Sequence, residues 1–110
     1  MTQRMTPDKA LAAVAASDDG QYGSLLEHGS MELGYYRPVG ADDQEPHAQD
    51  ELYIVHTGSG VFLLDGEYID FAPGDALFVR AGVEHRFVDF TDDFAAWVVF
   101  WGPPGGERPE

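Results

Sequence analysis

From Tyr22 onward, apolar and polar residues alternate in short runs, and turn residues cut the runs apart. Tyr22–Glu27 and Met31–Arg37 read as strands separated by His28-Gly29-Ser30. Residues 39–46 form a polar, acidic loop. Leu52–Thr57 predicts a strand ended by Gly58-Ser59-Gly60, and Val61–Leu64 another, with Asp65-Gly66 as a strong hairpin signal before Glu67–Phe71. Ala72-Pro73-Gly74-Asp75 is a further turn. Ala76–Val79, Glu84–Phe90 and Phe94–Trp101 complete the set. Seven or eight such strands predict an antiparallel sandwich or barrel, and alternation alone does not choose between them.

Before the strands, Thr6-Pro7-Asp8 and the alanine-rich stretch to Ser17 predict a short helix. Thr6 suits the N-cap, Pro7 the first helical position, and Asp8 the positive end of the helix dipole. Leu11 and Val14, three apart, are expected to face the body, and Asp18-Asp19-Gly20 to stop the helix. The stretch resembles a signal peptide superficially, but its alanines and the acid before it favour the helix. The expected organisation is a helix and turn over 1–20, one β-domain over 21–102, and a flexible tail over 103–110, frayed by its glycines and prolines.

Composition narrows the chemistry. Twenty acidic residues against six basic ones give the 110-residue chain a formal net charge of −14. That argues against nucleic acid and against an anionic membrane surface, both of which are held by Lys and Arg. No run is long and apolar enough for a membrane span, and a cytoplasmic location is the default expectation. There is no cysteine, so thiolate chemistry and Cys-ligated metals are excluded. His and carboxylate remain as the strong metal ligands, and the His are His28, His47, His56 and His85.

His47 and Glu51 stand four apart at the mouth of a strand. His85 follows a glycine turn in a second segment, Gly74 to His85, that an antiparallel barrel could lay beside the first. Two imidazoles and one carboxylate leave open positions on a metal, an arrangement suited to non-haem Fe(II) and compatible with Mn, Ni, Cu or Zn. His56 is out of phase with Glu51, Tyr53 and Val55, so it should face away from them, in a structural or interfacial place. His28 falls in a turn. Tyr35 and Tyr36 point to opposite faces of one strand, so at most one lines a cavity. Phe62, Phe78, Phe87, Trp97 and Phe100 are expected in the core or the cavity wall. Asp42, Asp43 and Glu45 lack the periodicity of a calcium loop and read as solvated acids.

These motifs resemble those of the cupin superfamily over roughly residues 30–101. The family's first motif reads Gly, five residues, His-x-His, three or four residues, Glu, six residues, Gly. This chain has Gly40, four residues, Glu45-x-His47, three residues, Glu51, six residues, Gly58. The second reads Gly, five residues, Pro-x-Gly, two residues, His, three residues, Asn. Here it is Gly74, five residues, Arg80-x-Gly82, two residues, His85, three residues, Asp89. The resemblance implies an all-β, cupin-type double-stranded β-helix (jelly-roll barrel) with a short N-terminal helix. It implies one divalent metal ion (Fe, Mn, Zn, Ni or Cu) held by His47, Glu51 and His85.

Glu45 occupies the place of the family's first His. It either adds a second carboxylate to the metal or points into solvent. The three-ligand reading is preferred, because Pro46 restricts its neighbour and the loop is acidic. Gln49 is a candidate polar contact to the site. The implied partners are a small-molecule substrate or ligand and a second copy of the chain, with Ala95–Trp101 as one candidate dimer surface.

The function expected is that of a metal-dependent enzyme, dioxygenase-like, on a small organic substrate. A metal-dependent isomerase or lyase, or a non-catalytic ligand-binding protein, are the alternatives. Lys9 is the sole lysine, so Schiff-base chemistry is not expected. Arg37 or Arg80 could hold a substrate carboxylate, whereas Arg86 would alternate away from His85.

Overall fold

The computed structural model describes residues 4–42 and 44–108. A helix, α1 (Pro7–Ala16), precedes eight strands: β1 (Tyr22–His28), β2 (Met31–Tyr36), β3 (Asp50–Thr57), β4 (Gly60–Leu64), β5 (Glu67–Phe71), β6 (Ala76–Val79), β7 (His85–Phe90) and β8 (Ala95–Trp101). Each expected element is present within two residues of its reading. The strands form a five-stranded sheet in the order β1-β2-β8-β3-β6 and a three-stranded sheet in the order β5-β4-β7, and every pairing is antiparallel. The two sheets face each other as a jelly-roll barrel, the all-β architecture expected.

Turn chemistry sets the register of the smaller sheet. Asp65 and Gly66 both adopt left-handed backbone (φ 48° and 86°), the geometry of a two-residue hairpin between β4 and β5. Between the sheets, inward aromatic rings pack at tilted angles. Phe62 and Phe87 lie 4.6 Å apart between ring centroids, and Phe87 and Phe94 lie 4.5 Å apart. Tyr53, Val55, Phe71, Val79, Ala96 and Val98 complete this buried core.

The helix covers the outer face of the five-stranded sheet at β1 and β2. Thr6 caps it, accepting from the Lys9 backbone N–H. Ala10 and Val14 are its buried residues, not Leu11 and Val14; Leu11 is 41% exposed. The body-facing stripe is therefore four apart, the spacing that stays on one face of a 3.6-residue helix. Tyr35, Ala95, Leu25 and Trp97 meet this stripe from the sheet. Trp97 thus packs under the helix, outside the barrel. Tyr35 joins it there, and its hydroxyl bonds His56 Nδ1 at 2.8 Å. His56 is structural, as its phase implied.

Two expectations about the surface change. Phe78 is 49% exposed on the edge strand β6, stacked on Trp101 rather than in the core. Within the tail expected to fray, two described residues bond back to the domain: Gly105 N–H donates to the Ala48 carbonyl and Glu107 N–H to Asp50 Oδ2. Backbone donors satisfied by a buried carboxylate hold a segment that composition alone marks as loose. Among the described residues no helix is long and apolar enough to cross a membrane.

Candidate metal centre

The Gly82 N–H donates to the His47 carbonyl at 2.8 Å, so the loop before β7 is pinned to the residues before β3. This bond lays the two sequence segments side by side. Glu51 points inward from β3, opposite Val79 of β6. His85 opens β7. One ligand atom from each of His47, Glu51 and His85 lies within 4.8 Å of the others, a group that could hold a metal ion.

Glu51 Oε1 is 2.7 Å from His85 Nε2 and 3.8 Å from His47 Nε2. Glu51 and His85 are buried, with side chains 1% and 0% exposed, whereas that of His47 is 36% exposed and opens the cluster to one side. His85 Nδ1 lies 2.9 Å from the Val83 carbonyl. A carbonyl only accepts, so Nδ1 carries the proton and the Nε2 lone pair faces Glu51. Burial works against a charged His85, but the Glu51 carboxylate beside it and the Val83 carbonyl outweigh burial, and its pKa in the metal-free cluster lies above the ordinary histidine value.

Whether these residues fit a cation is decided by their unmet bonding. Both Glu51 oxygens and His85 Nε2 are buried without a hydrogen-bond partner. Buried polar atoms are nearly always satisfied, and a buried carboxylate costs several kcal/mol unless it is paired. Three convergent, unsatisfied electron-pair donors are what a divalent ion would satisfy, and they fit one.

A cavity of about 450 Å³ adjoins the cluster at His47. Tyr22, Tyr36, Tyr53 and Phe100 line it, together with Gln44. Tyr36 is therefore the tyrosine of the Tyr35-Tyr36 pair on the cavity side. Tyr22 lies across Gly34, where any Cβ would overlap its ring and hydroxyl. The tyrosine hydroxyls are committed to the protein: Tyr22 donates to Glu32, Tyr36 to Asp42 Oδ1 and Tyr53 to Gln44 Oε1. Burial pushes Tyr22 and Tyr53 up, reinforced by Glu32 at Tyr22 and by Glu51 at Tyr53.

The remaining candidates lie elsewhere. Glu45 is exposed and is not part of the cluster. Gln49 is turned away, donating to the carbonyls of Ser30 and Gly102. Arg37 and Arg80 are both exposed and neither lines this cavity; Arg80 lines a separate hollow beside Trp101 and Arg108. The acidic loop is not simply solvated. Asp42 is 6% exposed and accepts from Tyr36, from Gln44 and from the Phe87 N–H. Asp43 lies outside the described residues. Asp42 and Gln44 are the site residues that sequence reasoning missed. Neither falls on a motif position, and only their neighbours in space mark them.

Comparison with known proteins agrees with this architecture. The cupin-domain family model matches residues 34–101. An uncharacterized protein of Streptomyces coelicolor is 38% identical over 96 residues, covering 86% of this chain and 90% of its own. The structure of a cupin 2 conserved barrel domain protein from Salinispora arenicola superposes with a TM-score of 0.68 at 24% identity, over 93% of this chain and 89% of that one. A candidate mannose-6-phosphate isomerase from Ralstonia eutropha superposes with a TM-score of 0.58 at 25% identity, over 74% of this chain and 83% of its own. With a family match over most of the barrel and both motifs meeting at one buried cluster, the chain belongs to the cupin superfamily.

Proposed function

We propose that His47, Glu51 and His85 hold one divalent metal ion and that the protein is a metal-dependent enzyme, dioxygenase-like, acting on a small organic molecule in the adjoining cavity. The observation that carries this reading is the unmet bonding of Glu51 and His85 Nε2 beside His47, the cluster residue that lines the cavity. The ion would supply adjacent open positions for substrate and O2. The chain's own contribution is to orient and enclose. Val83 fixes the His85 tautomer, and Tyr22, Tyr36, Tyr53 and Phe100 wall the cavity beside His47.

The cavity's lining bears on which side chains could move a proton, and Asp19 and His47 stand on it beside the tyrosines. Isomerases and lyases need a side chain that moves a proton. The cavity tyrosines already donate to Glu32, Asp42 and Gln44, and Tyr22 and Tyr53 are pushed further from titrating near neutrality. Among the described residues no Lys or Arg lines the cavity, and Asp19 does. The substrate is therefore a neutral or cationic molecule whose oxygen reaches the metal, not one held through an arginine–carboxylate pair.

The protein acts as a homodimer in this reading. Leu33, Val99, Leu52 and Phe78 are successive cross-strand partners on the outer face of the five-stranded sheet, an apolar row beyond the helix. This row, rather than strand β8 as a unit, is the dimer surface; β8 is central in the sheet, with Ala95, Ala96 and Val98 buried.

The deciding experiment is elemental analysis of protein purified without oxygen, followed by O2-consumption assays against small neutral and cationic organics. One metal per chain, lost in His47→Ala and His85→Ala, is expected. Unchanged metal content in both variants sinks the assignment. Metal retention without O2 uptake moves the reading to a non-oxidative enzyme or a binding protein.

A further inference from the structure

We propose that Gln44 supplies a fourth protein ligand through Oε1, standing in for the family's missing first histidine. This rests on the reading that His47, Glu51 and His85 hold a metal.

Its orientation is chemically determined. Gln44 Nε2 donates to Asp42 Oδ2 at 2.7 Å, and a carboxylate only accepts, so the nitrogen is on that side. The amide oxygen then faces the cluster. It accepts a hydrogen bond from the Tyr53 hydroxyl at 3.0 Å and lies 3.1 Å from His47 Nε2. Asp42 is itself held by the Phe87 N–H at 2.8 Å, so the amide stands on a buried anchor in β7 rather than on a loose loop.

An amide oxygen has two lone pairs. Tyr53 occupies one. Without a metal, His47 Nε2–H can take the other. Once His47 Nε2 ligates an ion it has no proton there, and two lone pairs 3.1 Å apart face each other. They repel unless the same cation lies between them. Metal–ligand bonds of about 2.1 Å place neighbouring ligand atoms roughly 3 Å apart. The 3.1 Å separation of Gln44 Oε1 from His47 Nε2 matches, the 2.7 Å of Glu51 Oε1 from His85 Nε2 is close, and the 3.8 Å of Glu51 Oε1 from His47 Nε2 is wider. Glu45, one residue on, is exposed, so the loop turns the amide inward and the carboxylate outward. A neutral oxygen in place of an imidazole makes the site harder and leaves its net charge unchanged.

The test loads the metal-free full chain with one equivalent of Co(II), reading the visible ligand-field bands and the affinity by chelator competition. Wild type, Gln44→Ala and Gln44→Leu are compared, the last preserving side-chain volume should alanine fail to fold. Shifted bands and at least a tenfold weaker affinity in the variants are expected. Bands superimposable on wild type overturn the proposal, whatever the affinity, because an outer hydrogen-bond partner can weaken binding tenfold without ligating. If wild type takes up no Co(II), the metal site itself is wrong and this inference falls with it. If wild type loads and only the Gln44 comparison fails, the three-ligand site stands.

Discussion

Glu51 Oε1 and His85 Nε2 lie 2.7 Å apart in a buried site, and neither atom makes a hydrogen bond. A pair so placed is costly alone and favourable around a cation. Adding the bound metal at a hundredfold excess over its Kd should stabilise the fold by about 2.7 kcal/mol. For a domain of this size that raises Tm by roughly 10 °C or more. Chelator should reverse the shift in wild type, and Glu51→Ala should show none. Equal melting with and without metal would contradict the site.

Gly34 carries Tyr22 across its open face. Gly34→Ala places a methyl in the tyrosine ring, so Tyr22 must move or the strand must yield. Overpacking of this kind costs about 1–3 kcal/mol. Denaturant unfolding should show that loss, and Gly34→Ala combined with Tyr22→Ala should recover much of it. No recovery in the double variant would place the strain elsewhere.

Asp50 anchors the C-terminal segment. The Glu107 and Ala81 N–H groups hold its carboxyl below the usual aspartate range. A depressed folded-state pKa gives stability that is fully present above the unfolded value, about 3.9, and lost as pH falls through the folded one. Asp50→Asn should therefore melt below wild type at pH 7, and the gap should narrow as the pH drops below roughly 4. A gap constant across that range would refute the assignment.

Phe78 and Ile54 are 49% and 39% exposed on the uncovered side of the larger sheet. If this row joins two copies, Phe78→Glu should convert a dimer to a monomer in analytical ultracentrifugation, because each copy would bury a charge against its partner. Tyr68, 73% exposed on β5 of the other sheet, serves as the control: Tyr68→Glu should leave the mass unchanged. A monomeric wild type, or a dimer that survives Phe78→Glu, rules this face out.

By itself the sequence determined the order of elements and the identity of the cluster. Strand alternation is a local property, and the turns at Gly58 and Asp65-Gly66 are read from residue type alone. His47, Glu51 and His85 were legible because motif spacing on a barrel maps onto adjacency. Which side chains turn toward that cluster was decided only by the tertiary structure. Glu45 and Gln44 are neighbours in a loop without periodicity, and their facing depends on Asp42 reaching the Phe87 N–H 45 residues away. Leu11, Phe78 and Gln49 were misplaced for the same reason. Their surroundings are set by what packs or bonds from distant segments (α1 against β1, Trp101 beside Phe78, Gly102 beside Gln49), and no local pattern encodes those partners.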